Sequence, residues 1–139
     1  MTIEELYEEF EELPDWDDRF DYLIDLGFEL PELPAEAKTE ENRVHGCQSN
    51  VWLVADVCES SPPTVQFLAN SDSIIVNGLI SVLLVLYSGK TPQQVISVDP
   101  QEAFEKLGLE RHLSSQRRNG LYGMVERVRK LAIQVEANS

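Results

Sequence analysis

Residues 51–68 read Val51-Trp52-Leu53-Val54-Ala55-Asp56-Val57-Cys58-Glu59-Ser60-Ser61-Pro62-Pro63-Thr64-Val65-Gln66-Phe67-Leu68. Two runs rich in β-branched and aromatic residues, 51–57 and 64–68, flank a segment of turn chemistry, Glu59 to Pro63. Consecutive prolines fix φ and remove backbone donors, so the chain must leave the ladder there. This pattern predicts two neighbouring antiparallel strands. Arg43-Val44-His45, just before Gly46, reads as a further short strand.

On either side the period changes from two to 3.6. Thr2-Ile3-Glu4-Glu5 fits a capping box ahead of Ile3, Leu6, Tyr7, Phe10 and Leu13, until Pro14 stops the run. Asp15 can cap a second helix bearing Trp16, Phe20, Leu23 and Ile24, and residues 35–42 read as a polar loop. After the strands, Ser71 or Asp72 is the expected cap of an apolar helix over 73–88. Thr91-Pro92-Gln93-Gln94 and Asp99-Pro100-Gln101-Glu102 start two short helices, with Gly108 closing the second. A last helix carries Leu121, Met124, Val125, Val128, Leu131, Ala132 and Val135 on one stripe, and Asn119-Gly120 reads as its cap and turn. The expected fold is therefore α+β: a small antiparallel sheet of about three strands flanked by N-terminal and C-terminal helices. At 139 residues, one domain over 1–139 is expected.

The net charge of −14 is unevenly placed. Residues 1–41 hold 16 of the 25 acids but only two bases, Arg19 and Lys38, so residues 42–139 are neutral. Binding nucleic-acid phosphate depends on Lys and Arg displacing counterions, so nucleic acid is disfavoured as a partner. Attraction to an anionic membrane surface is disfavoured for the same reason. The longest apolar run, Ile74 to Tyr87, spans 14 residues and falls short of a membrane span of about 20. No basic, then apolar, secretory signal opens the sequence. With only Cys47 and Cys58, free thiols in a cytoplasmic protein are expected. Some of the N-terminal acid is expected to face the basic stretch Arg111 to Lys130.

The chemistry concentrates in Val44-His45-Gly46-Cys47-Gln48-Ser49-Asn50. Gly46 permits a sharp turn, and the polar neighbours give Cys47 little reason to be there for packing. Cys58 is a strand-end thiol on the face of Trp52, Val54 and Asp56. A Cys-His hydrolase needs a base and an orienting group. His45 is too near Cys47 in sequence for that work, and His112 is distant. Two cysteines and two histidines match no closed zinc spacing and are too few for an iron–sulfur cluster. A thiol that accepts and passes on a group is the simpler job. A non-catalytic adaptor, its acidic face binding a basic partner, is the rival class.

Gly46-Cys47-Gln48-Ser49-Asn50-Val51-Trp52 resembles the GCQSxVW signature of the SufE family, sulfur acceptors for cysteine desulfurases. Ser71-Asp72 with Ile75-Val76-Asn77-Gly78-Leu79 looks like that family's SD…IVxGL helix start. Leu107-Gly108-Leu109, His112-Leu113-Ser114 and Arg117-Arg118-Asn119-Gly120-Leu121 are similar to its LGLxxHLSxxRxNGL segment. The resemblance implies a SufE/IscU-like fold and transpersulfuration. Cys47 would take sulfur from the persulfide of a SufS-like desulfurase, stimulate that enzyme, and deliver sulfur to a SufBCD-like iron–sulfur scaffold complex. Pyridoxal phosphate belongs to the desulfurase, and no cofactor or metal is implied here. His45, Gly46, Gln48 and Ser49 would form the active loop, with Gly46 and Gly120 giving it mobility. Asp72, His112, Arg117, Asn119 and Gly120 would support the persulfide or the partner. Arg117 aligns with the family arginine, although Arg118 adjoins it. A monomer or weak homodimer is expected.

Overall fold

The computed structural model describes residues 1–45 and 49–138. Its elements run α1 (Ile3–Glu12), α2 (Trp16–Phe28), a 3₁₀ turn (Ala35–Ala37), β1 (Val51–Cys58), β2 (Thr64–Ser71), α3 (Ile74–Tyr87), α4 (Pro92–Ser97), α5 (Pro100–Lys106), α6 (Leu109–His112) and α7 (Ser115–Ala137). The architecture is α+β. Among the described residues, no helix is long and apolar enough to cross a membrane.

The hairpin pairs antiparallel from Val51 opposite Ser71 to Cys58 opposite Thr64. Pleating turns Val51, Leu53, Val65, Phe67 and Ala69 into the core, where they are at most 3% exposed. Among the described residues, the sheet has two full strands rather than about three. The expected third is reduced to a bridge of Arg43 to Trp52, held by Val44 N–H to Val51 O at 2.8 Å and Leu53 N–H to Asn42 O at 2.9 Å. Asn42 and Arg43 are already bonded back into the preceding turn, at Thr39 O and Glu40 O, so the segment runs straight for only a residue or two.

The helix starts depend on tertiary partners. Thr2 Oγ1 accepts from Glu5 N–H at 3.2 Å, but the Glu5 carboxylate takes the Thr2 hydroxyl instead of its N–H, leaving the box half-built. Asp15 stands at the start of α2 without a side-chain cap bond. Ser73, not Ser71 or Asp72, caps α3, accepting from Val76 N–H at 3.4 Å. Ser71 is engaged through its backbone by the Asn77 amide, and the Asp72 carboxylate accepts from Asn50. The α7 helix begins five residues earlier than expected, with Ser114 as its cap, so Asn119 and Gly120 lie within it.

A core of Leu6, Phe10, Leu23, Leu79, Ile80, Leu83, Phe104, Leu121 and Val125 joins the helices to the inner face of the sheet. The α2 and α3 helices cross closely at glycines: a Cβ on Gly27 would lie 2.7 Å from Gly78 N, and one on Gly78 would lie 2.9 Å from Leu23 O. Arg19 closes the end of α1, donating from Nε to Leu13 O at 2.6 Å and Phe10 O at 3.0 Å. Buried Asn70 accepts from Leu33 N–H and donates to Pro31 O, fastening the 31–33 connection to β2. No ion pair among the described residues joins an acid of 1–41 to the stretch 111–130. The expected facing of those charges amounts to Arg127 Nη2 donating to the backbone oxygen of Glu41.

Candidate functional site

Two long helices direct their N-terminal ends at one cavity. Ser73, the cap of α3, and Ser114, the cap of α7, both line a space of about 350 Å³ beside Ser49 and Arg117. Val76, Leu79, Leu121 and Met124 supply its apolar wall. A helix N-terminus carries about half a positive charge from its unpaired N–H groups. Two such ends and one guanidinium make this space suited to an anion, and its apolar side suits a soft one such as sulfur.

Ser49 is fixed to this space from its C-terminal side. Asn50 donates from its backbone N–H to Asp72 Oδ1 at 3.2 Å and from Nδ2 to Asp72 Oδ2 at 2.9 Å, while Asp72 N–H returns a bond to Asn50 O at 3.3 Å. Asp72 is therefore a tether for the chain leaving the loop. On the N-terminal side, the backbone of His45 rests on α7 at Gly123, whose Cβ, if present, would lie 3.4 Å from His45 O.

Gly46, Cys47 and Gln48 lie outside the described residues. The other predicted positions divide. Ser49, Arg117 and Gly120 come together on the cavity, Gly120 buried within α7 and Arg117 exposed at its rim. Gly120 is thus part of a helix, not of a mobile turn. Arg118 is held by other bonds, donating to Glu110 O at 3.1 Å and Ser115 Oγ at 3.4 Å. Asn119 stands one residue away and is not on the cavity wall. His112 stacks on Trp16, ring centroids 4.3 Å apart and 11° from parallel, and does not line the cavity either. His45 is exposed, 3.8 Å from Glu40, and lines a different groove. Cys58 is exposed at the far end of β1, seven residues or about 23 Å of strand from Val51.

Sequence reasoning missed Ser73, Ser114 and Met124 as cavity residues. The two serines were visible as helix-cap types, but nothing in the sequence said that the helices would end at one place. Next to the cavity, Tyr122 donates to Glu110, locking α6 onto α7; burial first, and then the carboxylate that accepts its hydroxyl, push this phenol far up. A larger cleft, about 810 Å³ between the hairpin turn, Pro92 and the end of α7, lies at the other end of β1. No group of three or more metal-ligating side chains occurs among the described residues.

The SufE family, described as an Fe-S metabolism associated domain, matches residues 4–132. The chain belongs to the SufE family. It is 44% identical over 132 residues to an uncharacterized SufE-like protein of Rhizobium etli, covering 94% of this chain and 89% of that one. A second uncharacterized SufE-like protein, from Rhizobium meliloti, is 40% identical over 132 residues and 94% of each chain. The solution structure of a hypothetical protein from Thermus thermophilus shares the fold, with TM-score 0.78 and 23% identity over 99% of both chains. SufE membership gives the chain a role in iron–sulfur metabolism, in company with a sulfur-metabolism partner such as a cysteine desulfurase.

Proposed function

We propose that this SufE protein accepts sulfur on Cys47 from the persulfide of a cysteine desulfurase and hands it to an iron–sulfur assembly scaffold. The observation that carries the reading is the convergence of the α3 and α7 N-termini and Arg117 on a cavity that Ser49 lines. Ser49 follows Cys47 by only two positions, a reach of about 7 Å at most.

The step balances without an external oxidant or reductant. The Cys47 thiolate attacks the outer sulfur of the donor persulfide. A new S–S bond forms as the donor's S–S bond breaks, and the donor cysteine leaves as a thiolate that takes up a proton. Cys47 then carries the sulfane sulfur as an anionic persulfide. Attack by an acceptor thiolate repeats the exchange and restores Cys47. An ordinary thiol is only a few per cent ionised at neutral pH, so every favourable charge raises the reactive fraction. The helix ends and Arg117 stabilise both the thiolate and the persulfide, while the apolar side of the cavity, Val76, Leu79, Leu121 and Met124, shields one face of the sulfur from oxidants. The desulfurase supplies the pyridoxal phosphate. Ser49, Gly120 and Asp72 act as positioning residues.

Mass spectrometry after incubation with a desulfurase and L-cysteine tests the reading. The expected result is a gain of one reducible sulfur on Cys47, retained in Cys58→Ser, together with faster desulfurase turnover that Cys47→Ser abolishes. Stimulation that persists in Cys47→Ser refutes it.

A further inference from the structure

Around His45 lies a second concavity, about 590 Å³ in volume, with Arg43, His45, Arg127, Arg129 and Lys130 on its walls. Four of the 11 Lys and Arg residues of a chain with net charge −14 thus share one groove. Among the described residues, Glu126 is the only carboxylate that lines it. These cations are poorly neutralised. Arg43 has a 3.5 Å contact to exposed Glu40, and Arg127, Arg129 and Lys130 form no ion pair among the described residues. Arg127 spends Nη2 on a backbone oxygen, and its buried Nε has no hydrogen-bond partner among the described residues. Ile133, 54% exposed, stands beside them as an apolar foothold.

We infer that this groove is the docking surface for an acidic segment of the sulfur-donating desulfurase, an inference that rests on the proposed function. Like charges gathered on one face repel one another, and the helix gains nothing from them unless a partner neutralises them. The groove reaches to within two positions of Cys47 in sequence: its wall includes His45, whose backbone rests on Gly123 of the same wall. A donor held there brings its own persulfide alongside the segment that bears Cys47. The acidic remainder of the chain repels an extended polyanion such as RNA, whereas a short acidic protein segment meets only the groove. Exposed charge pairs of this kind act chiefly on the association rate and on its salt dependence.

The test is a calorimetric and stopped-flow titration of the chain against the cysteine desulfurase of the same organism, at low and high salt. Arg129→Glu with Lys130→Glu is compared with Arg111→Glu with Lys106→Glu, an equal change of net charge outside the groove. Lys130→Glu alone, at an exposed position, guards against misfolding of the double variant. We expect the groove variant to bind about tenfold more weakly at low salt, mainly through a slower on-rate, and to lose most of the salt dependence. The control pair should bind within about twofold of the parent, and sulfur transfer at saturating protein should be unchanged in all variants. Equal weakening in groove and control variants, no weakening in either, or no binding by the parent overturns the inference. Absence of sulfur on Cys47 would overturn the proposed function instead, because the binding titration requires no transfer.

Discussion

Replacing Gly78 by alanine sets two calculable effects against each other. Alanine in the interior of a helix is favoured over glycine by about 1 kcal/mol. Against that, the new Cβ would sit 2.9 Å from Leu23 O, 3.1 Å from Leu23 C and 3.3 Å from Ile24 N. All three are backbone atoms of α2, which cannot rotate away as a side chain can. The helices must separate by several tenths of an ångström along a buried seam that includes Leu23, Leu79 and Val82. Overpacking of this kind costs about 1–3 kcal/mol, and rigid neighbours place it at the upper end. The net expectation is a loss of about 2 kcal/mol, or roughly 6–10 °C in Tm for a chain of this size. Gly123→Ala is the matched control. Its Cβ meets only His45 O at 3.4 Å, an ordinary contact, so the propensity gain should leave that variant as stable as the parent or up to about 1 kcal/mol better. Urea and thermal unfolding followed by circular dichroism measure both. A Gly78→Ala protein as stable as the parent would refute the claim that backbone approach fixes the α2–α3 distance.

Two further expectations follow from the site and the core. Arg117→Ala should slow alkylation of Cys47 by iodoacetamide at neutral pH about threefold and slow sulfur acceptance in proportion, with unfolding unchanged, since the side chain is exposed and its loss touches only the charge at the cavity. Tyr87 is fully buried, its hydroxyl has no hydrogen-bond partner among the described residues, and burial pushes its phenol up to about 12. A raised phenol favours the folded state's neutral form, so this contribution is intact below pH of about 10 and is lost as pH rises from about 10 towards 12. Tyr87→Phe should flatten that alkaline loss and be neutral or stabilising at pH 7, as measured by urea unfolding across pH.

The hairpin, the apolar helix and the short proline-led helices were legible because each rests on local chemistry: β-branched runs around Pro62-Pro63, and Thr91 or Asp99 ahead of a proline. Thr91 and Gln94 even form the full reciprocal box. What escaped the sequence was decided by partners far along the chain. Asp72 is a good cap by type, but Asn50, 22 residues earlier, takes its carboxylate, and the cap passes to Ser73. Asn119-Gly120 looks like a turn, yet Ser114 has already begun the helix. At the site, Cys47 stood out by its polar surroundings, and Arg117 by resemblance. The meeting of Ser73 with Ser114, 41 positions apart, is a property of packing that no local pattern expresses. His112 shows the converse: a conspicuous side chain whose ring is occupied by Trp16.

The two margins of the hairpin are unlike, and that limits how copies of the protein can associate. Along β2 most outward groups are engaged: Val65 by Gly89 and Lys90, Phe67 N–H by the Ser88 hydroxyl, Ala69 O by the Asn70 amide, and Ser71 by Asn77, which leaves Phe67 O and Ala69 N–H as its open positions among the described residues. Along β1, Asn42 and Val44 cover only the first residues, and Ala55 and Val57 keep outward backbone groups without partners among the described residues. An exposed strand margin is the usual template for fibrous aggregation, but propagation needs two. Here a strand added at Ala55–Val57 leaves the largely engaged β2 margins outermost. A pair formed through the β1 margins therefore offers a further strand few open backbone groups.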